Sequence, residues 1–313
     1  MGYDIIGDVH GQADKLHALL EHMGYEKREG TFRHPEQTAI FVGDLIDRGP
    51  RQMESVWTVR RMVDARSALC IMGNHEFNAI AWHMRDPEHD NEYLRPRSGK
   101  LGAKNRHQHA AFLSEIEHDI KLHADVIDWF MTLPLWLDLP GLRVVHACWH
   151  DAYMEELRPH LTSNLQIDPN LMVDASREGA MAFRTIEAIT KGLEVGLPTG
   201  HSFQDKDGHT RFNVRVRWWD ATSAHYRDLA LLPDELRERL PAEPIMPDLR
   251  CEYDNKVPVF FGHYWMTGQP ALQSTTIACV DYSAAKRGPL VAYRWRGESM
   301  LDAANFVAVG AEK

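Results

Sequence analysis

The sequence predicts an α/β fold, and three features of the chain predict it. Short apolar runs alternate with stretches of helical periodicity, the runs are apolar at nearly every position, and each stops at a cluster of Gly, Asp, Asn or His. Strands buried on both faces read this way, and their alternation with helices argues for βαβ units around a buried sheet.

Residues 3–7 form the first apolar run and 12–22 the first helical stretch. Residues 38–43, 52–66 and 68–73 repeat the pattern as strand, helix and strand. Residues 77–104 break the rhythm: rich in charge, His, Pro and Asn, they predict a helix start followed by a long surface excursion. Helices are expected over 110–119 and 124–132, and a fourth strand over 142–147. From 154 to 254 the chain is less regular, with one helix expected over 176–195, a strand over 212–219, and Pro-rich charged sequence over 233–247. A fifth strand is expected over 257–262, and 275–281 with 290–295 as a closing hairpin. No linker-like composition sets the middle portion apart. The expectation is one domain, 1–313, with a variable insertion or cap around 154–254.

Composition narrows the function. With 313 residues, 44% hydrophobic and 26% charged, the chain has the make-up of a folded globular protein. Its formal charge of −10 weighs against broad nucleic-acid or anionic-membrane binding. It does not exclude a phosphate ligand, because bound cations reverse the local field. Cys70, Cys148, Cys251 and Cys279 are far apart and form no C-x-x-C, so neither a zinc knuckle nor a disulfide framework is expected. With no leader pattern and no 18-residue apolar run, a cytoplasmic protein is the expectation.

The strand ends carry the chemistry. The first ends in Gly7-Asp8-Val9-His10-Gly11, where Asp8 and His10, two apart, project to one side of an extended segment. They read either as a solvated acid beside a surface histidine or as a pair of metal ligands. The second ends in Gly43-Asp44-Leu45-Ile46-Asp47-Arg48-Gly49-Pro50. A helix cap with a salt bridge would use such residues; so would a metal carboxylate, Asp44, beside a guanidinium, Arg48, that grips two phosphate oxygens. The third ends in Gly73-Asn74-His75-Glu76, and the fourth and fifth runs each end near a lone histidine, His146 and His263. Singly, each has an ordinary structural explanation. Together, five strand ends with these residue types point to a ligand site outside the carboxyl ends of the sheet.

In these blocks the chain resembles the phosphoprotein phosphatase branch of the calcineurin-like metallophosphoesterases. GDVHG, GDLIDRGP and GNHE match that family's three signature blocks in order, and His146 and His263 match its two isolated histidine ligands. The resemblance implies an α/β/β/α sandwich, with two packed mixed sheets flanked by helices. It implies that Asp8 and His10 bind one metal, that Asp44 bridges two, and that Asn74, His146 and His263 complete the second site. It also implies that Arg48 and Asn74 hold the substrate phosphate and that His75, oriented by Asp47, protonates the leaving oxygen. A group that orients a catalytic histidine is needed on general grounds as well. Two departures stand out. Ala147-Cys148-Trp149-His150 follows the fourth-strand histidine where the family often has a glycine pair, and the second phosphate arginine falls in a variable region. There Arg215-Val216-Arg217-Trp218-Trp219 resembles an Arg-x-Arg-aromatic stretch of bacterial relatives; Arg217 is the choice, and Arg215, two residues away, is expected on the same side.

The implied reaction is hydrolysis of a phosphate ester by a hydroxide bridging two divalent cations, which lower the pKa of their shared water towards about 7. A ligand set of carboxylate, imidazole and amide oxygen suits Mn²⁺, with Fe or Zn²⁺ as alternatives. The expected activity is that of a phosphomonoesterase or protein phosphatase, the alternative a symmetrical dinucleoside polyphosphate hydrolase. A binding scaffold that had lost the chemistry should lack ligands, and all six are present. Arg95, Arg97, Lys100, Lys104 and Arg106 either meet further phosphates or form a solvated basic stretch. Trp149, Trp218, Trp219, Tyr264 and Trp265 either pack in the core or stack on a base. His83, His89, His107, His109, His118 and His123 fit no ligand spacing and are expected at the surface.

Overall fold

A computed structural model describes residues 2–205 and 208–310. Nine strands build two sheets: β1 (Gly2–Ile6), β2 (Gln37–Phe41), β3 (Ala68–Cys70), β4 (Trp136–Leu139), β5 (Leu142–Val145), β6 (Val259–Phe261), β7 (Ile277–Cys279), β8 (Leu290–Trp295) and β9 (Phe306–Val309). The first sheet has the order β9-β8-β1-β2-β3, the second β7-β6-β5-β4. Both are mixed. β1, β2 and β3 run parallel while β8 and β9 pair antiparallel, and β5, β6 and β7 run parallel with β4 antiparallel at the edge.

Alternation along each strand sorts the side chains into two cores. Ile5, Ile40, Leu142, Val144, Phe260, Ala278 and Tyr293 point inward and form one apolar layer between the sheets. Phe260 and Tyr293 lie in it with ring centroids 5.0 Å apart. Their neighbours Ile6, Phe41, Val145, Phe261 and Ala292 point outward, into the core shared with the helices. The longer helices are α1 (Ala13–His22), α2 (Gln52–Asp64), α3 (Asn74–His83), α4 (Gly99–Gln108), α5 (Ala110–Ile116), α6 (Ile120–Met131), α7 (Asp151–Leu157), α8 (Pro169–Ala175) and α9 (Met181–Lys191). α1 and α2 pack on the first sheet, and α9 packs against α3, α7 and α8. This is the expected sandwich of two mixed sheets flanked by helices.

Local expectations need several corrections. The segments 275–281 and 290–295 do not form a hairpin: β7 joins the second sheet parallel to β6, whereas β8 pairs with β1 in the first. Both segments are buried on both faces, so their composition is silent about which sheet each belongs to. The stretch 77–104 contains most of α3 and the start of α4. The helix expected over 176–195 is α9 alone, ended by Gly192 with φ 91°. Of 212–219 only Asn213–Arg215 is extended, paired with Glu194–Gly196. Among the described residues no helix is long and apolar enough to cross a membrane. The four cysteines are free.

Candidate metal centre

The loops that leave β1, β2, β3, β5 and β6 meet, and they make their turns within one or two residues. His10, Asp44, Asp47, Arg48, His263 and Trp265 accordingly have left-handed backbone, with φ of 48, 53, 70, 74, 71 and 48°. Such conformations cost non-glycine residues on the order of 1 kcal/mol or more each. Glycines make the close approach possible. A Cβ on Gly73 would lie 2.3 Å from Asp44 Oδ1, and one on Gly262 2.1 Å from Asp8 Oδ1.

Glu76, in the first turn of α3, ties two of these loops together, those after β2 and β3. Its Oε2 accepts from the N–H of Asp44 at 2.8 Å and of Gly73 at 2.9 Å, and its Oε1 from that of Leu45 at 2.8 Å. It satisfies N–H groups that would otherwise be buried without partners.

Asp44 is the hub. Two triples of buried side chains, His10–Asp44–His75 and Asp44–His146–His263, each offer ligand atoms within 4.8 Å of one another. Asp44 Oδ2 is 3.5 Å from His10 Nε2 and 3.8 Å from His75 Nε2, and its Oδ1 is 3.4 Å from His146 Nε2. Second contacts set the tautomers. His10 Nδ1 donates to Ile46 O at 2.8 Å and His146 Nδ1 to Val42 O at 2.6 Å, so each turns Nε2 to the centre. Asn74 Oδ1 lies 3.2 Å from His146 Nε2. Asp8 belongs to neither triple; it stands beside them, accepting from the His263 N–H at 3.1 Å.

These residues fit divalent cations. His10 Nε2 and His263 Nδ1 are buried with no hydrogen-bond partner among the described residues, and a cation would satisfy both. The electrostatics agree. Burial and the nearby His75 push His10 down to about 3, and burial, with His146 and Arg215 close by, holds His263 well below its ordinary range, so both rings are neutral and able to ligate. Burial opposes the charged form of His146, but the Asp44 and Asp8 carboxylates lift it to about 10. Burial and the neighbouring Asp281 push Asp8 well up. Asp44, despite burial, is held well below the carboxylate range by His146, His75 and His10.

Beside the hub lies an acid pair with a third member. His75 Nδ1 is 2.5 Å from Asp47 Oδ2, and His109 Nδ1 lies 2.8 and 3.0 Å from the two oxygens of the same carboxylate. Burial disfavours protonated His75, but Asp44 and Asp47 together raise its pKa above the ordinary value. His109, expected at the surface, is therefore a buried member of the site, and His123 is buried as well. No local spacing could have found His109, which lies 62 residues from Asp47. Asp281 was also missed. It accepts from the Trp265 N–H at 2.7 Å and the Ser283 N–H at 2.9 Å, and burial lifts it to about 6.

Arginines line the mouth. Arg48 is exposed, its guanidinium 4.6 Å above the Trp265 ring. Arg215 Nη1 lies 3.4 Å from His263 Nε2, whereas Arg217 bonds to Asp228 O and faces Asp220 at 3.6 Å. The structure thus brings Arg215 to the centre and turns Arg217 away. Extended pairing ends at Arg215 and the chain turns at Arg217–Asp220, so the two-residue alternation fails there. Trp149, Trp218 and Trp219 are core residues; Trp265, 40% exposed, is the one tryptophan of the group at the surface.

Comparison with known proteins places this geometry. The family model described as calcineurin-like phosphoesterase matches residues 1–263. Among curated proteins, a bis(5′-nucleosyl)-tetraphosphatase PrpE (asymmetrical) of Halalkalibacterium halodurans is 46% identical over 76 residues, 24% of this chain and 31% of the relative. The Bacillus subtilis protein of that name is 38% identical over 76 residues, again 24% and 31%. The chain thus spans about a third of the length of the curated relatives it matches. Among solved structures, a protein serine/threonine phosphatase from Saccharomyces cerevisiae has TM-score 0.47 at 16% identity, covering 100% of this chain and 80% of that one. A cold-active protein-tyrosine phosphatase of a Shewanella species has TM-score 0.48 at 16% identity, covering 98% and 80%.

Proposed function

This chain belongs to the calcineurin-like phosphoesterase family, and on that premise we propose that it hydrolyses phosphate monoesters, of a small molecule or a phosphoprotein, at a dinuclear metal centre. One observation carries the reading: Asp44 is common to two buried ligand triples and lies beside the His75–Asp47 pair. In this reading Asp8, His10 and Asp44 hold one cation, and Asp44, Asn74, His146 and His263 the other. Two divalent cations, with Mn²⁺ preferred by the donor set, supply Lewis acidity and a nucleophilic water when bound.

The chain's own groups do the rest. Arg48, held over Trp265 with its guanidinium in solvent, binds the phosphate oxygens, with Asn74 beside it and Arg215 rather than Arg217 as the second arginine. His75 gives the proton at Nε2 to the leaving oxygen, while Asp47 keeps Nδ1–H oriented and favours the protonated ring. His109, on the other side of Asp47, fixes that carboxylate in place. We take residues 1–313 as one domain with 154–254 as its insertion.

A specific feature supports a second reading, hydrolysis of a dinucleoside polyphosphate. Arg95, from the basic stretch, donates to Gln108 and has its charged form favoured by Asp47, one more cation near the acid pair for a longer phosphate chain. The curated relatives carry that activity in their names, though as asymmetrical cleavage. Replacing Asp44 with Asn should abolish both bound metal and hydrolysis of p-nitrophenyl phosphate; wild-type turnover in metal-analysed mutant protein would sink the dinuclear reading. A panel of phosphopeptides, small monoesters and diadenosine tetraphosphate with Mn²⁺ separates the substrates. Release of two ADP, or of AMP and ATP, would decide for the second reading and its symmetry.

A further inference from the structure

The N-terminal end of α3 serves the metal centre; its C-terminal end opens on a separate cavity of about 480 Å³. The 10 residues of α3 put the two roughly 15 Å apart. Arg85 and Arg97 enter this cavity with their guanidinium carbons 4.2 and 3.4 Å from the Tyr93 ring centroid, and Arg97 is also 4.7 Å from that of Trp82. Neither forms an ion pair with a carboxylate among the described residues; Arg97 donates instead to Trp82 O at 2.9 Å. The neighbouring cations that bear on Arg97, Arg85 and Arg106, are of its own sign, and Arg106 is neutralised by Glu117. A histidine completes the set. His123 lines the cavity at 8% exposure, and its Nε2 is buried with no hydrogen-bond partner among the described residues. Facing these donors are Leu113 and Ile120, the latter 80% exposed.

Unpaired guanidinium groups and a buried unpartnered imidazole nitrogen are costly together unless an anion joins them. Three donors, two from the segment between α3 and α4 and one from α6, suit a tetrahedral oxyanion better than a flat carboxylate, and the apolar wall suits a small ring. We infer that this pocket binds a small organic monophosphate, its phosphate on Arg85, Arg97 and His123 and its apolar part against Leu113 and Ile120.

Phenylphosphonate is a suitable probe, because its C–P bond is not a phosphoester. Calorimetric titration of the Mn²⁺-loaded protein should show two binding events, and Arg48→Gln should remove only the one at the metal centre. Arg85→Gln should remove the other and leave turnover of p-nitrophenyl phosphate unchanged. Arg97→Gln should do the same where it folds; exposed Arg85 keeps the test valid where it does not. Methylphosphonate should bind the second pocket at least about fivefold more weakly, for want of a ring to bury. Loss of all binding in Arg48→Gln, wild-type stoichiometry in Arg85→Gln, or equal binding of the two phosphonates would overturn the inference.

Discussion

At the scale of the residue, the proposed chemistry depends on how one buried carboxylate shares its neighbours. Asp47 meets His75 and His109 at once, and it, with Asp44, favours the protonated His75 ring against burial. His75→Asn should keep bound metal but slow esters with poor leaving groups far more than p-nitrophenyl phosphate; equal slowing would count against a proton donor at this position. The sign of the pH effect follows from the raised pKa. A donor acts while protonated, so the alkaline fall in kcat/KM for poor leaving groups should lie above about pH 6.5, the ordinary histidine value. In Asp47→Asn that fall should move to lower pH. A pH–rate profile of the two proteins with phenyl phosphate measures it.

Elements place these residues, and two of them have distinct tasks. α3 brings Asn74 and His75 to the centre; Glu76 binds its first turn to the β2 loop through the N–H groups of Asp44 and Leu45, and caps it through that of Gly73. Glu76→Ala orphans all three, at about 1–3 kcal/mol each. Denaturant unfolding should show a loss of roughly 3 kcal/mol or more, with Glu76→Gln between the two. A loss under about 1 kcal/mol would mean that water replaces the carboxylate. The ribbon of Glu194–Gly196 and Asn213–Arg215 has the other task, delivering Arg215 to His263. Arg215→Ala should raise KM for monoesters by about tenfold, one charge-assisted contact, while Arg217→Ala stays near wild type. Steady-state kinetics with the reverse ranking would return the role to Arg217.

For the whole molecule, the sandwich brings distant carboxylates and histidines together at largely buried positions, so metal and stability are linked. Without metal, the His146 proton offsets part of the negative charge of Asp44 and Asp8, with a pKa of about 10. A cation must displace that proton, which becomes easier as pH rises towards that value. The gain in Tm on adding Mn²⁺ should therefore be larger at pH 8 than at pH 6. Thermal melts of chelated and Mn²⁺-loaded protein at the two pH values check it, and a pH-independent gain would show that His146 is neutral before metal binds.

The residues that end the apolar runs were legible in the sequence because a parallel strand buried on both faces leaves polar groups only at its ends. Asp8, His10, Asp44, Asn74, His75, His146 and His263 stand out for that reason, and the two-sheet fold followed from the family blocks that contain them. The pairing of β7 and β8 was not legible, since burial on both faces suits either sheet. Nor were His109, Asp281 and the choice of Arg215 over Arg217. By itself the sequence determined which residue types stand at the strand ends, through local patterns of period two and glycine-flanked turns. Tertiary structure alone decided which distant groups face them: contacts such as His109 with Asp47 are made by packing across 62 residues and leave no periodicity in the chain.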